Sequence, residues 1–267
     1  MSSFSTRNPV LARAFEKPQP YGNLEQAADA PKVMTIGGTV NAAITLLCLC
    51  AAGAVGGWML VERGMIGMMP LWIGAMLGGL VLSLIISFKK TTAPFLAPIY
   101  AAIQGVFLGG FSLYVSEMLN ARFGGTVGQQ TVFQAVILTL GVFAAMLLAY
   151  KTGLIRSGPI FRRVMAVGAM GYMLFFVVAL VMSFFGQGTL ISVFDIQNGS
   201  PISIIFSVVV CALAAFSLVV DFDFIDQGAT PGLPKHMEWY GAFALTVTLV
   251  WLYFELLRLL AKIKSSD

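Results

Sequence analysis

The chain has 267 residues, 58% of them hydrophobic and only 10% charged, with a formal net charge of +4 at pH 7. Soluble domains carry about 25% charged residues, so this composition excludes an ordinary soluble domain. Its 16 Lys and Arg residues are spread along the chain without a basic patch, which argues against nucleic acid as a partner.

Residues 1–38 are polar, contain Pro9, Pro18, Pro20 and Pro31, and lack the basic start, apolar core and cleavage site of a signal peptide. They read as a cytosolic, mostly disordered tail. A short amphipathic helix over "NPVLARAFEK", lying on the membrane surface, is the alternative. Seven apolar runs follow, at 39–60, 71–88, 94–116, 131–150, 164–185, 201–220 and 239–260. A hydrocarbon core of about 30 Å takes roughly 20 residues of helix, and lipid cannot satisfy an open backbone. The runs are continuous rather than alternating, which excludes a barrel. The expectation is an all-α membrane protein, a seven-transmembrane helical bundle over 39–262 with a short C-terminal tail at 263–267. Pro94 and Pro201 fall at helix starts, where a missing N–H costs nothing; Pro159 falls in the loop before the fifth helix.

Positive charge reports orientation. With the N-terminus inside, the inner segments hold Arg7, Arg13, Lys17, Lys32, Lys89, Lys90, Lys151, Arg156, Arg162, Arg163 and Lys235, and the outer side holds Arg63, Arg122, Arg258, Lys262 and Lys264. The bias favours a cytosolic N-terminus. The basic C-terminus fits an external end poorly, which leaves a re-entrant seventh segment as the alternative. Cys48, Cys50 and Cys211 lie within spans and read as small hydrophobes, without a disulfide or metal site.

Only 12 Asp and Glu residues are present, and three close the sixth run: Asp221, Asp223 and Asp226. At 100° per residue Asp223 and Asp226 lie about 60° apart, with Asp221 at least 140° from both. Asp221 follows the small residues Ser217 and Ala214, and small residues mark close helix packing in membranes. It is therefore placed toward the bundle interior, where an ionisable residue is a functional candidate. Asp223 and Asp226 read as a solvated helix end running into the inner loop. In the third run, Gln104 stands beside a Gly105-x-x-x-Gly109 contact motif. On the seventh, Gly241, Ala244, Thr248 and Glu255 share a face, and Glu255 is three residues from Arg258, a pairing distance. With Asp221 near the inner end and Glu255 17 residues beyond Glu238, the two carboxylates are expected roughly 25 Å apart along the axis.

The motifs "PIYAAIQGVFLGG", "LLAYKTG", "SLVVDFDFI" and "TLVWLYFELLRLL", in this order over seven spans, resemble the Bax inhibitor family, and the polar tail resembles its bacterial branch. The resemblance covers about residues 40–260. It implies a bundle with the last helix central, wrapped by two layers of three, in the plasma (inner) membrane. It also implies a passive, pH-sensitive calcium leak, regulation of cell stress, and contact with a membrane-bound protease or another membrane protein. The family's gate is a pair of aspartates ending the sixth helix and in the seventh. Asp221 matches the first and would be the calcium-binding carboxylate; the second falls on Thr248, which is not acidic.

Two functions remain in view: a leak or channel centred on Asp221, and a non-transporting adaptor using the tail and the loop "KTGLIRSGPIFRR" to hold a partner or anionic lipid. The pH- or ion-sensing candidates are Asp221, Asp223, Asp226, Thr248, Glu255 and Arg258. An enzyme is not expected. Gly-x-Gly-Asp, Gly-x-Ser-x-Gly and His-Glu-x-x-His are absent, and the single histidine, His236, lies in a loop. No cofactor is expected beyond calcium as a transported ion.

Overall fold

A computed structural model describes residues 33–186 and 190–266, and residues 1–32 of the tail expected over 1–38, with the alternative surface helix, lie outside them. Seven helices follow in order: α1 (Ile36–Glu62), α2 (Met68–Phe88), α3 (Ala93–Phe123), α4 (Val127–Lys151), α5 (Pro159–Phe184), α6 (Pro201–Ala229) and α7 (Met237–Ser266). All seven are long and apolar enough to cross a membrane. Short 3-10 turns at Lys90–Thr92 and Ile191–Phe194 precede α3 and α6. The helix starts follow local chemistry. Thr35 caps α1 by accepting from Gly38 N, and Ser200 caps α6 by accepting from Ser203 N. The α3–α4 connection turns on Gly124 and Gly125, at φ +74° and +62°, where a side chain would be strained.

Several boundaries differ from the sequence expectation. Pro159 is the first residue of α5, not a loop residue. Helix α6 continues to Ala229, so Asp223 and Asp226 are helical. Helix α7 is unbroken to Ser266. At 1.5 Å per residue its 30 residues reach about 45 Å, long enough to cross a membrane, and the helix takes in residues 263–266 of the expected C-terminal tail. The boundary expected at residue 38 likewise falls inside α1. Hydropathy marks where lipid lies. A helix satisfies its own backbone and carries on past that point.

Helix α7 packs against α1, α3, α4 and α6, as a central helix should, but it shares the core with α3. Tyr100 and Ala101 of α3 are buried with Leu245, Leu249 and Leu252 of α7, Leu46 of α1 and Leu218 of α6. Helices α4 and α5 show most of their surface outward. Lipid is as apolar as leucine, so close packing must hold the helices together. The α1–α3 seam shows how. A Cβ on Gly105 or Gly109 would overlap the backbone carbonyls of Cys50 and Ala54, and one on Gly53 or Gly57 those of Ala102 and Val106. The expected Gly-x-x-x-Gly contact is therefore the α3 half of a two-sided glycine seam.

Candidate functional site: the α6–α7 interface

Helices α6 and α7 run antiparallel with their polar stripes facing. On α7, Thr248, Glu255 and Lys262 recur every seven residues and all are buried. On α6, Ser207, Ala214 and Asp221 have the same spacing. Lys262 Nζ donates to Ser207 Oγ at 2.8 Å, and the Thr248 hydroxyl acts on the Asp221 carboxyl. The two contacts are fourteen residues apart on each helix, about 21 Å, which puts Ala214 level with Glu255.

Asp221 is interior, as expected from its small neighbours. Its Oδ2 is buried with no hydrogen-bond partner, and no cationic side chain pairs with it among the described residues. Thr248 donates to the Ala244 carbonyl of its own helix at 3.3 Å, and its hydroxyl lies beside the Asp221 carboxyl. The depth needs correcting. Because α6 runs on to Ala229, Asp221 lies two turns inside the helix end and faces mid-α7. Glu255 is seven residues beyond Thr248, about 10 Å along the axis rather than 25 Å.

Glu255 and Arg258 form an ion pair within α7, both side chains 4% exposed or less. Tyr172 of α5 donates to Glu255 Oε1 at 2.7 Å. The guanidinium lies over the Phe194 and Phe254 rings, 5.3 and 5.4 Å from their centroids. Lys262, expected at the very end of the last helix, is fully buried four residues inside it. Its ammonium donates to Val193 O at 2.6 Å as well as to Ser207. Sequence reasoning missed this residue, although the seven-residue step from Glu255 pointed to it.

Asp223 is not a solvated end. Its carboxylate pairs with Arg162 of α5 at 2.9 Å and accepts from Gln227 Nε2 at 2.9 Å, and its side chain is 14% exposed. Asp226 is exposed, its carboxylate accepting a long contact from Tyr150 Oη at 3.5 Å, and fits the expected solvated role. The structure thus does not gather the six candidates into one cluster. It separates Asp221 with Thr248, Glu255 with Arg258, and Asp223 with Arg162.

At the end of the bundle nearest Asp226, a clasp escaped the sequence reading. Met34 N donates to Leu233 O at 2.6 Å, and Met34 is buried at 1% exposure. Glu238 Oε1 accepts from Thr35 N, Thr35 Oγ1 and Lys235 Nζ, each at 2.8 Å. Gly38 leaves room for that carboxylate; a Cβ there would overlap it.

Among the described residues, no group of three or more His, Cys, Asp and Glu side chains is placed to hold a metal ion.

Seven apolar helices around a buried charged interface define a polytopic helical membrane protein in contact with the bilayer. The chain matches the Bax inhibitor 1 like family over residues 8–265 and belongs to that family. No curated protein and no solved structure is significantly similar to it.

Proposed function

We propose that the chain is a pH-sensitive calcium leak in which Asp221 is the ion- and proton-responsive group, with calcium as cargo. The observation that carries this reading is the buried, unpartnered Oδ2 of Asp221 between α6 and α7, facing Thr248. Family membership supports it. A lone carboxyl in such a place has two arrangements. Protonated, it donates a hydrogen bond within the interface. Ionised, it draws in water or a cation. A bundle with two packings can be biased by that difference. The plasma membrane and a cytosolic N-terminus belong to the same proposal. Arg258 and Lys262 are engaged inside the bundle, so the far side offers only Arg63, Arg122 and Lys264 as exposed basic charge. No enzymatic activity and no cofactor are assigned.

The test is calcium efflux from liposomes holding wild type or Asp221→Asn, from pH 5 to 8. Wild type should leak with a pH dependence that Asp221→Asn abolishes. No efflux above empty liposomes at any pH, from folded protein, sinks the reading.

The second reading is a non-transporting adaptor that regulates stress responses through a membrane protease or another membrane protein. One observation favours it: Thr248 stands where the resemblance calls for the second acid, so Asp221 faces a hydroxyl there and not a carboxylate. Crosslinking in native membranes should then recover a partner that deletion of residues 1–32 releases; recovery of none counts against it.

A further inference from the structure

Away from α6 and α7, a groove between α2 and α3 holds polar groups with no partner. It encloses about 240 Å³ and is lined by Met76, Gly79, Ser83, Tyr100, Gln104 and Phe107, among others. Ser83 Oγ is satisfied by Leu80 O at 2.8 Å. Gln104 and Tyr100 form no hydrogen bond with any described residue, although Tyr100 is only 5% exposed. The Gln104 amide lies where a side chain on residue 79 would be, so glycine there makes room for the amide at the groove wall. Gln104 is eleven residues into α3 from Ala93, and Gly79 nine from the Phe88 end of α2. Those are depths of about 16 and 14 Å in a hydrocarbon core of about 30 Å. An unsatisfied polar group at that depth is costly.

The depth restricts the occupant. Phospholipids place their ester carbonyls at the edge of the hydrocarbon, and near the midplane they offer only chains. A molecule apolar throughout except for a small uncharged ring bearing carbonyl acceptors dissolves there, which is the constitution of an isoprenoid quinone. Gln104 Nε2 and the Tyr100 hydroxyl can donate to carbonyl oxygens. Phe107, the Tyr100 ring and the Met76 thioether supply apolar walls. The volume suits a ring without its tail. Met76 and Leu80 at the rim are 56% and 50% exposed, so the mouth opens sideways to lipid, where a tail would remain. We propose that the α2–α3 groove binds the head ring of an isoprenoid quinone, with Gln104 and Tyr100 donating to its carbonyls.

The test uses the full chain in nanodiscs of synthetic phosphatidylcholine, titrated with decylubiquinone against empty discs. Saturable one-site uptake above the empty discs is expected. Gln104→Leu and Tyr100→Phe should each weaken it about fivefold, and together about twentyfold or more, as for neutral hydrogen bonds. Tyr100→Phe removes a single hydroxyl and keeps the test open if Gln104→Leu does not fold. No saturable uptake, or wild-type uptake by the folded double variant, overturns the proposal. So does a dimer that takes up no quinone and that Gln104→Leu dissociates, which assigns the groove to a second copy. The readout involves no calcium and stands apart from the fate of the leak.

Discussion

Taking away the Arg258 guanidinium leaves the Glu255 carboxylate buried with Tyr172 alone. Breaking one side of a buried pair costs about 3–5 kcal/mol, whereas replacing both partners by apolar groups of similar volume is often neutral or better. Arg258→Met should therefore lower the unfolding temperature in detergent sharply, and Glu255→Leu together with Arg258→Met should recover most of the loss. A double variant as unstable as the single one contradicts this account. The pair was legible in the sequence from its three-residue spacing, and Asp221 from the small residues a turn before it. The partners of Asp223 and Lys262 were not, because Arg162 and Ser207 come from α5 and α6 and no local pattern announces them.

At the scale of helices, the α1–α3 seam is the sharpest constraint. Gly109→Ala should force α1 and α3 apart, because the new methyl meets the Ala54 carbonyl rather than a movable side chain. The expected loss is about 1–3 kcal/mol. Gly141 of α4 has nothing within 4 Å of a Cβ, so Gly141→Ala should be neutral or stabilising. Thermal unfolding of the two variants in one detergent checks the contrast, and equal losses remove the seam from the account. All seven helices were readable as apolar runs. Their ends were not. Asp223, Asp226 and Lys262 look like boundary residues because they are charged, yet each sits within a helix whose backbone bonds continue regardless.

For the whole molecule, the clasp joins the start of α1 to the α6–α7 connection across 203 residues of sequence. Separation of that size hides it from any reading of local pattern, while the fold class needs only the count of apolar runs. Hydrogen bonds to a charged group contribute about 1.5–3 kcal/mol each, and Glu238 Oε1 accepts three. Glu238→Ala should free residues 33–35 and make the chain there cleave at least about tenfold faster in limited proteolysis, with helix content kept. Unchanged cleavage shows that Met34 alone holds the segment.

The helices are unequal in length, and that has a consequence for the surrounding membrane. Helix α2 has 21 residues, about 32 Å, whereas α3 and α7 have 31 and 30, about 46 and 45 Å. The two long helices form the core and must lean or protrude from a hydrocarbon layer of about 30 Å, while α2, packed chiefly on α3, is close to it in length. The bilayer around the protein therefore meets a rim of uneven height. A change in membrane thickness would therefore be met unequally by α2 and by the longer helix it packs on.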